Sequence, residues 1–253
     1  MIMSLKKKFK NNQNTIGLWL TIYSTEIAEI YAKSGYDWIG IDLEHSSMNI
    51  TQAIDLIKIV DLAGGCPLVR VTSNNDDLIK KSLDAGAHGI IIPMINNKDE
   101  AIKAVNSCRF PPKGKRGYGL FRANLYGNNM SEYYKWQKND ITVIIQIESK
   151  EAVENVNEIF AINGIDGYLL GPYDLSASLN KPGEFDSKEF KLCEKKVLKS
   201  AIRNSIVPGV HIVNPDHKLI NKSLKYGYKS VVYSVDFKII INDINKSLKK
   251  IKR

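Results

Sequence analysis

The sequence predicts an α/β protein, a closed (β/α)8 TIM barrel, from three observations. Eight short apolar runs rich in β-branched residues punctuate its 253 residues. Segments with helical spacing lie between them. A glycine recurs where a helical stretch gives way to the next run. Strand, helix, glycine turn, strand is the rhythm of a parallel sheet. Eight repeats without a linker favour a closed barrel over an open doubly wound sheet, and roughly 250 residues is the usual size of such a barrel.

Taken in order, residues 1–14 read as a basic N-terminal extension, because Lys6, Lys7, Lys8 and Lys10 stand there without an acid. Residues 15–253 read as a single barrel domain. Its strands are expected at 15–20, 38–43, 67–72, 89–95, 142–148, 167–171, 207–213 and 230–235. Most are continuously apolar, as strands covered on both faces are. A helix is expected over 51–63, where Ile54, Ile57 and Val60 recur at three-residue steps. Another is expected over 150–161, with Ala152, Val153, Val156, Ile159 and Phe160 on one stripe and Ser149 as N-cap. Gly35, Gly86, Gly164 and Gly227 close helical stretches, where a left-handed residue is needed. Two connections are long, 96–141 and 172–206. Both follow strands and open at the C-terminal mouth, where barrel chemistry sits.

Composition excludes several classes. With 43% hydrophobic and 25% charged residues the chain is not largely disordered. No apolar stretch is long enough for a membrane span, and the lysine- and asparagine-rich start does not read as a secretory signal. The net charge of +9 resides at the two ends, leaving residues 11–237 formally neutral. A groove for nucleic acid would need cations clustered in the folded body, so both ends are expected to be solvated. Cys66, Cys108 and Cys193 are far apart with no C-x-x-C, which argues against disulfides or a zinc ribbon and fits a reducing cytoplasm.

The strands deliver a set of polar groups to one rim. The first ends near Trp19; the second runs into Asp42, Glu44 and His45; the third ends at Arg70. The fifth finishes Gln146-Ile147-Glu148, the sixth leads into Gly171-Pro172-Tyr173-Asp174, and the seventh carries His211. Glu148 and Asp174 could converge on one hard cation such as magnesium or manganese, which binds through one or two carboxylates and keeps water or ligand elsewhere. Alternatively, either acid pairs with a lysine such as Lys150. Arg70 lies between Val69 and Val71 and must find an anion, either a structural carboxylate or a substrate carboxylate or enolate. His45 is either an acid/base group or an exposed loop residue. His88 reads as structural at the opposite end, His217 as a helix-surface residue, and His211 is undecided. No lysine lies within the eight runs, which disfavours a Schiff base. No phosphate-binding loop or nucleophile elbow is present.

The ordered combination of D-x-E-H at 42–45, P-x-V-R at 67–70, Q-I-E at 146–148 and G-P-x-D-L-S at 171–176 is specific. From about Gly17 to Leu179 the chain resembles the class II pyruvate aldolases of the HpcH/HpaI aldolase/citrate lyase family. That resemblance implies a phosphoenolpyruvate/pyruvate-type barrel with Mg2+ or Mn2+ (Co2+ is a third candidate) held by Glu148 and Asp174. It implies a metal-dependent carbon–carbon lyase that forms or cleaves a 4-hydroxy-2-oxo acid, giving pyruvate or a related 2-oxo acid plus an aldehyde. Arg70 would lie against the oxygen that becomes the enolate, and His45 would be the acid/base histidine. Asp42 and Asp84 would be its associated acids, Asp84 across a subunit contact. Trp19, Gln146, Gly171, Pro172 and Tyr173 would line the substrate site. A homo-oligomer, a hexamer of paired subunits, is implied, and the stretch 237–251 would supply an exchanged C-terminal helix.

The segment SASLNKPGEF after Asp174 and the loop FRANLYGNNMSEYYKWQ depart from the family pattern where an aldehyde would be read. A hydroxy- or sugar-derived acid is the expected substrate class. Competing readings are a CoA-thioester lyase of the same superfamily and a non-catalytic organic-acid-binding barrel.

Overall fold

The computed structural model describes residues 3–251. The eight apolar runs are eight strands, β1 Thr15–Leu20, β2 Trp38–Asp42, β3 Pro67–Arg70, β4 Gly89–Ile92, β5 Thr142–Ile147, β6 Gly167–Leu170, β7 Val207–Ile212 and β8 Ser230–Val235. Each pairs in parallel with the next, and β8 pairs with β1, so the sheet closes into the expected barrel.

Twelve α-helices accompany the strands among the described residues. An N-terminal helix, α1 Leu5–Lys10, precedes β1. Then α2 Thr25–Lys33, α3 Ile50–Leu62, α4 Asp76–Asp84 and α5 Lys98–Cys108 follow β1 to β4. The first long connection adds a 3-10 turn at Arg122–Gly127 and α6 Met130–Asp140. After β5 come α7 Lys150–Glu154 and α8 Val156–Phe160; after β6, α9 Pro172–Ser178 and α10 Lys188–Arg203. Helices α11 His217–Tyr226 and α12 Asp236–Leu248 follow β7 and β8. Asparagine or serine caps start α2, α3, α4, α5, α7 and α10, each accepting from a backbone N–H in its first turn.

Alternation along each strand builds two cores. Inside the barrel, Trp19, Trp38, Leu68, Ile91, Ile144, Leu169, Val207 and Val232 pack together, one from each strand. A second cluster joins the outward strand faces to the helices, with Leu56, Ile57 and Val60 of α3 among its members. Glycine makes room for the inner tryptophans, because a β-carbon on Gly17 would lie 2.1 Å from the Trp38 ring. One on Gly40 would lie 2.6 Å from Trp19.

Two expectations are corrected. The N-terminal lysines are not simply solvated: α1 closes the bottom of the barrel. Leu5 and Phe9, one helical turn apart, join the inner core at 2% and 5% exposure. Lys6 is buried and pairs with Asp166 at 2.8 Å, Lys8 meets Asp37 at 2.5 Å, and Lys7 meets Asp140 at 3.4 Å. The apolar pair supplies the drive to dock, and the acids around the barrel floor receive the charge. The helix expected over 150–161 is broken at Asn155, whose amide donates to the Asn96 carbonyl at 2.9 Å. At the other end, α12 forms largely as expected and leaves Ile240, Ile241, Ile244 and Leu248 exposed. No helix among the described residues is long and apolar enough to cross a membrane.

Candidate active site

The C-terminal ends of the strands surround a cavity of about 410 Å³ whose wall includes Trp19, Arg70, Gln146, Tyr173, Asp174 and His211. Asp42, His45, Gly171 and Pro172 also line it, so most of the expected site residues share one space. No lysine does. Larger cavities open elsewhere, one of about 570 Å³ beside Lys6 and Arg109 near the barrel floor, and hold none of these groups.

Arg70 is the best-fixed side chain of the rim. The sheet register sets Asp42 beside it on the neighbouring strand. Nε donates to Asp42 Oδ1 at 2.9 Å and an Nη to Oδ2 at 2.6 Å, a bidentate pair. The other Nη lies 3.1 Å from Glu44 Oε2 and donates to Gln146 Oε1 at 3.4 Å. The guanidinium carbon sits 4.3 Å above the Trp19 ring, adding a cation–π contact. Of the two partners the sequence left open, the structural carboxylate is therefore present. The remaining Nη is shared between Gln146, which lines the cavity, and Glu44.

Asp42 also accepts from the backbone N–H of Glu44 and of His45, at 3.0 and 3.3 Å. It thus shapes the turn that carries the histidine, while its carboxylate is spent on Arg70. The His45 ring is exposed, and its Nε2 stands 3.7 Å from Glu44 Oε2. Glu44 is the group without an assigned role in the sequence reading. It sits between the arginine and the histidine; burial pushes its carboxyl up to about 7, with Asp42 and Asp174 adding to the rise against the pull of Arg70. Its adjacency to His45 in the D-x-E-H run was the available signal.

Glu148 is buried at 5% exposure, one residue beyond β5. Its Oε1 accepts from the Met94 backbone N–H at 2.7 Å and its Oε2 from the Gln146 amide at 2.7 Å. Burial raises this carboxyl to about 7, reinforced by Glu44 and Asp174. Gln146 therefore links Glu148 to Arg70. Lys150, the alternative partner, points away and lies 3.9 Å from Glu154.

Asp174 comes from the first turn of α9, which Pro172 starts immediately after Gly171. A β-carbon on Gly171 would lie 2.8 Å from Glu148 Oε2 and 3.5 Å from Asp174 Oδ2. The two carboxylates thus flank one small space that the glycine leaves open. Asp174 bears on both Glu44 and Glu148, a repulsion among carboxylates that a cation would relieve. No group of three or more His, Cys, Asp or Glu side chains among the described residues forms a metal cage. Two carboxylates suit a hard cation that keeps its remaining positions for water and ligand oxygens.

The structure separates Asp84 from this site. It ends α4 at the opposite side of the barrel, 2.5 Å from Arg116, whose guanidinium also donates to the Tyr133 hydroxyl at 2.8 Å. His88 lies at that end too, as expected of a structural residue, 3.0 Å from Asp61 and edge-on to Trp136. Burial would lower its imidazole, but Asp61 and Cys66 outweigh that and hold it up at about 10. His217 is exposed at the start of α11.

The model of the HpcH/HpaI aldolase/citrate lyase family matches residues 15–243. A 4-hydroxy-2-oxo-heptane-1,7-dioate aldolase of Escherichia coli is 33% identical over 235 residues, covering 92% of this chain and 88% of that protein. A 2-keto-3-deoxy-L-rhamnonate aldolase of another Escherichia coli strain is 34% identical over 248 residues, covering 96% and 91%. A solved HpcH/HpaI aldolase/citrate lyase family protein from Burkholderia cenocepacia superposes with a TM-score of 0.92 at 30% identity, covering 97% of this chain and 98% of its own. With its motif carboxylates flanking one space beside a clamped arginine, the chain belongs to the HpcH/HpaI aldolase/citrate lyase family.

Proposed function

We propose that this chain is a divalent-metal-dependent pyruvate aldolase, joining or separating pyruvate (or a related 2-oxo acid) and an aldehyde through a 4-hydroxy-2-oxo acid. The observation that carries the reading is the placement of Glu148 and Asp174 around the space beneath Gly171, with Gln146 tying Glu148 to Arg70. Glu148 and Asp174 would hold Mg2+ or Mn2+, with Co2+ as a third candidate. When bound, such an ion would polarise the carbonyl and carboxylate oxygens of a 2-oxo acid and offset enolate charge.

In the cleavage direction a base takes the proton of the C4 hydroxyl, and the C3–C4 bond breaks. Its electron pair passes to C3 and the C2 carbonyl oxygen, and protonation of C3 gives pyruvate. Arg70 faces the growing charge on that oxygen. Its donors are already oriented by Asp42 and Trp19, so little reorganisation is needed at the moment of reaction. His45, at the cavity mouth beside Glu44, is placed to move the hydroxyl proton. Among the described residues no lysine lines the cavity, and the two carboxylates beside Arg70's partner Gln146 favour enolate chemistry over a Schiff base.

The site of one chain lacks Asp84, so we assign that carboxylate to the His45 of a second copy in a homo-oligomer, a hexamer of paired subunits. The exposed apolar face of α12 supports exchange of that helix between copies. The two relatives leave the aldehyde half open between a second carboxylate and a deoxy-sugar tail.

Purified protein with Mg2+ or Mn2+ should exchange the methyl protons of pyruvate for deuterium, followed by proton NMR. EDTA, Glu148→Ala and Asp174→Ala should each stop the exchange. Full activity in EDTA would remove the metal, and a borohydride-trapped pyruvate adduct would replace the enolate mechanism. Absence of exchange with every divalent metal would favour an organic-acid-binding barrel, and saturable acetyl-CoA binding would favour the thioester lyase.

A further inference from the structure

The cavity near the barrel floor has no part in the reaction described above. It holds about 570 Å³, a volume typical of small-molecule sites, and its wall includes Lys6, Arg109, Lys113, Lys138, Phe110 and Tyr134. Among the described residues no Asp or Glu lines it. The four cations come from α1, the residue just beyond α5, the loop after it and α6. They gather only when the chain folds.

Two of these cations are buried and share one acid. Lys6 is 8% exposed and Arg109 6%. Lys6 Nζ stands 2.8 Å from Asp166 Oδ1, and an Nη of Arg109 stands 3.6 Å from Asp166 Oδ2. That carboxylate also accepts the Val143 backbone N–H at 2.9 Å. Both cations donate to the Ile141 carbonyl at 3.1 Å, and Arg109 donates to that of Gln137 at 2.9 Å. One positive charge is left over in a buried place, where an uncompensated charge is costly. Burial and the neighbouring Arg109 accordingly hold the Lys6 ammonium below the ordinary lysine range, against the pull of Asp166. Arg109 Nε makes no hydrogen bond among the described residues and is not closed off from solvent. The guanidinium therefore keeps a donor for the cavity that it lines.

Lys113 and Lys138 are exposed, and neither forms an ion pair among the described residues. Phe110 and Tyr134 add nearly parallel rings to the wall, 6.2 Å apart at 11°. Surplus positive charge beside apolar rings suits an organic anion. A charge left over between two buried cations, with two more lysines beside it, calls for a dianion rich in acceptor oxygens, and a phosphate monoester is one. Inorganic phosphate would occupy a small part of this space, so the remainder fits an attached carbon skeleton.

We propose that this cavity binds a small organic phosphate, with the phosphate group against Arg109 and Lys6 and the carbon skeleton along Phe110 and Tyr134. Lys113 and Lys138 draw the anion in. Because Lys6 belongs to α1, the bound phosphate also fastens that helix to the barrel floor. The site lies at the opposite end of the barrel from Glu148 and Asp174, and it does not depend on the aldolase reading.

Calorimetry in EDTA tests this with AMP, ribose 5-phosphate, inorganic phosphate and adenosine as probes. EDTA keeps phosphate from any metal at the rim, and Arg70→Lys should bind each probe as the unmutated protein does. AMP or ribose 5-phosphate should bind saturably with Kd of about 1 mM or tighter. Inorganic phosphate should bind more weakly, and adenosine, which lacks the anion, should not bind. Reversing two exposed charges, Lys113→Glu with Lys138→Glu, should weaken the ester by roughly tenfold or more. Asn163→Trp places a ring at an exposed wall position without changing charge and should block binding. The ester should raise Tm in the unmutated protein and not in Asn163→Trp. Pyruvate methyl exchange, measured with Mn2+, should stay within about twofold in these variants. No saturable binding of either ester up to about 10 mM overturns the proposal. So does inorganic phosphate or adenosine binding as tightly as the esters, or an ester affinity unchanged by Asn163→Trp or by the charge reversal. If Asn163→Trp does not fold, the charge reversal and the ranking of the four probes decide.

Discussion

Replacing Gly171 with alanine tests the metal space directly, because the substitution adds one methyl group where Glu148 and Asp174 face each other. Gly171 has φ −90 and ψ 90, which alanine adopts without strain, so crowding is the whole effect. The new β-carbon would stand 2.8 Å from both Cβ and Oε2 of Glu148. Non-bonded carbons rest at about 3.5–4.0 Å, so Glu148 must retreat by about 1 Å. Its carboxylate is pinned by Met94 and Gln146, so a retreat strains both bonds. A misplacement of about 1 Å at a reacting centre costs on the order of 100-fold in rate. Overpacking at a tight site costs about 1–3 kcal/mol in stability. Mn2+ binding by calorimetry, pyruvate exchange by NMR and urea denaturation would follow the three effects. Gly117→Ala is the control, since a β-carbon there meets nothing within 4 Å. Unchanged Mn2+ affinity and exchange in Gly171→Ala would refute the placement of the cation between these carboxylates.

Other perturbations separate the remaining contacts. Arg70→Lys cannot reproduce the bidentate bond to Asp42 while also reaching Gln146, so kcat should fall by about 100-fold or more with Mn2+ affinity nearly unchanged. Equal losses in both would show that Arg70 serves the metal instead. Phe9→Ala should cost about 3–5 kcal/mol in urea denaturation, because the ring fills the barrel floor; a cost under about 1 kcal/mol would mean that α1 is undocked in solution. The His88–Asp61 pair gives a pH signature. The folded imidazole is raised to about 10, so its stabilisation is complete below the unfolded value near 6.5 and lost as pH rises toward 10. With both side chains about 30% exposed, screening limits the effect to about 1–2 kcal/mol. The stability difference between the unmutated protein and His88→Ala should therefore shrink between pH 6 and pH 10, and a constant difference would exclude the charged pair.

Much of the fold was legible because its signals are local. Continuous apolar runs, the Asn and Ser caps and the junction glycines each act within a few residues of themselves, and each strand formed where its run lies. The motif residues were legible for a related reason. A parallel barrel presents every strand's C-terminal end on one rim, so Arg70, Gln146 and Asp174 share one cavity, and Glu148 sits just behind its wall against Gln146 and Gly171. The N-terminal helix was readable in the Leu5 and Phe9 spacing behind Ser4, but the lysine run suggested solvent because the acids that receive it lie far away, at Asp37, Asp140 and Asp166.

By itself, then, the order of residues determined the alternation of strands and helices, the closure of eight repeats and the types of group at the rim. Tertiary structure decided who meets whom. Asp42 takes Arg70 because β2 and β3 pair in register, Glu44 falls between that arginine and His45, and α4 carries Asp84 to the far side. A bulge in β8 puts Ser234 at φ 65 and anchors its hydroxyl on the Val213 carbonyl beyond β7. These outcomes depend on strand register, bulges and helix direction, which are set by packing across the closed sheet rather than by neighbours along the chain.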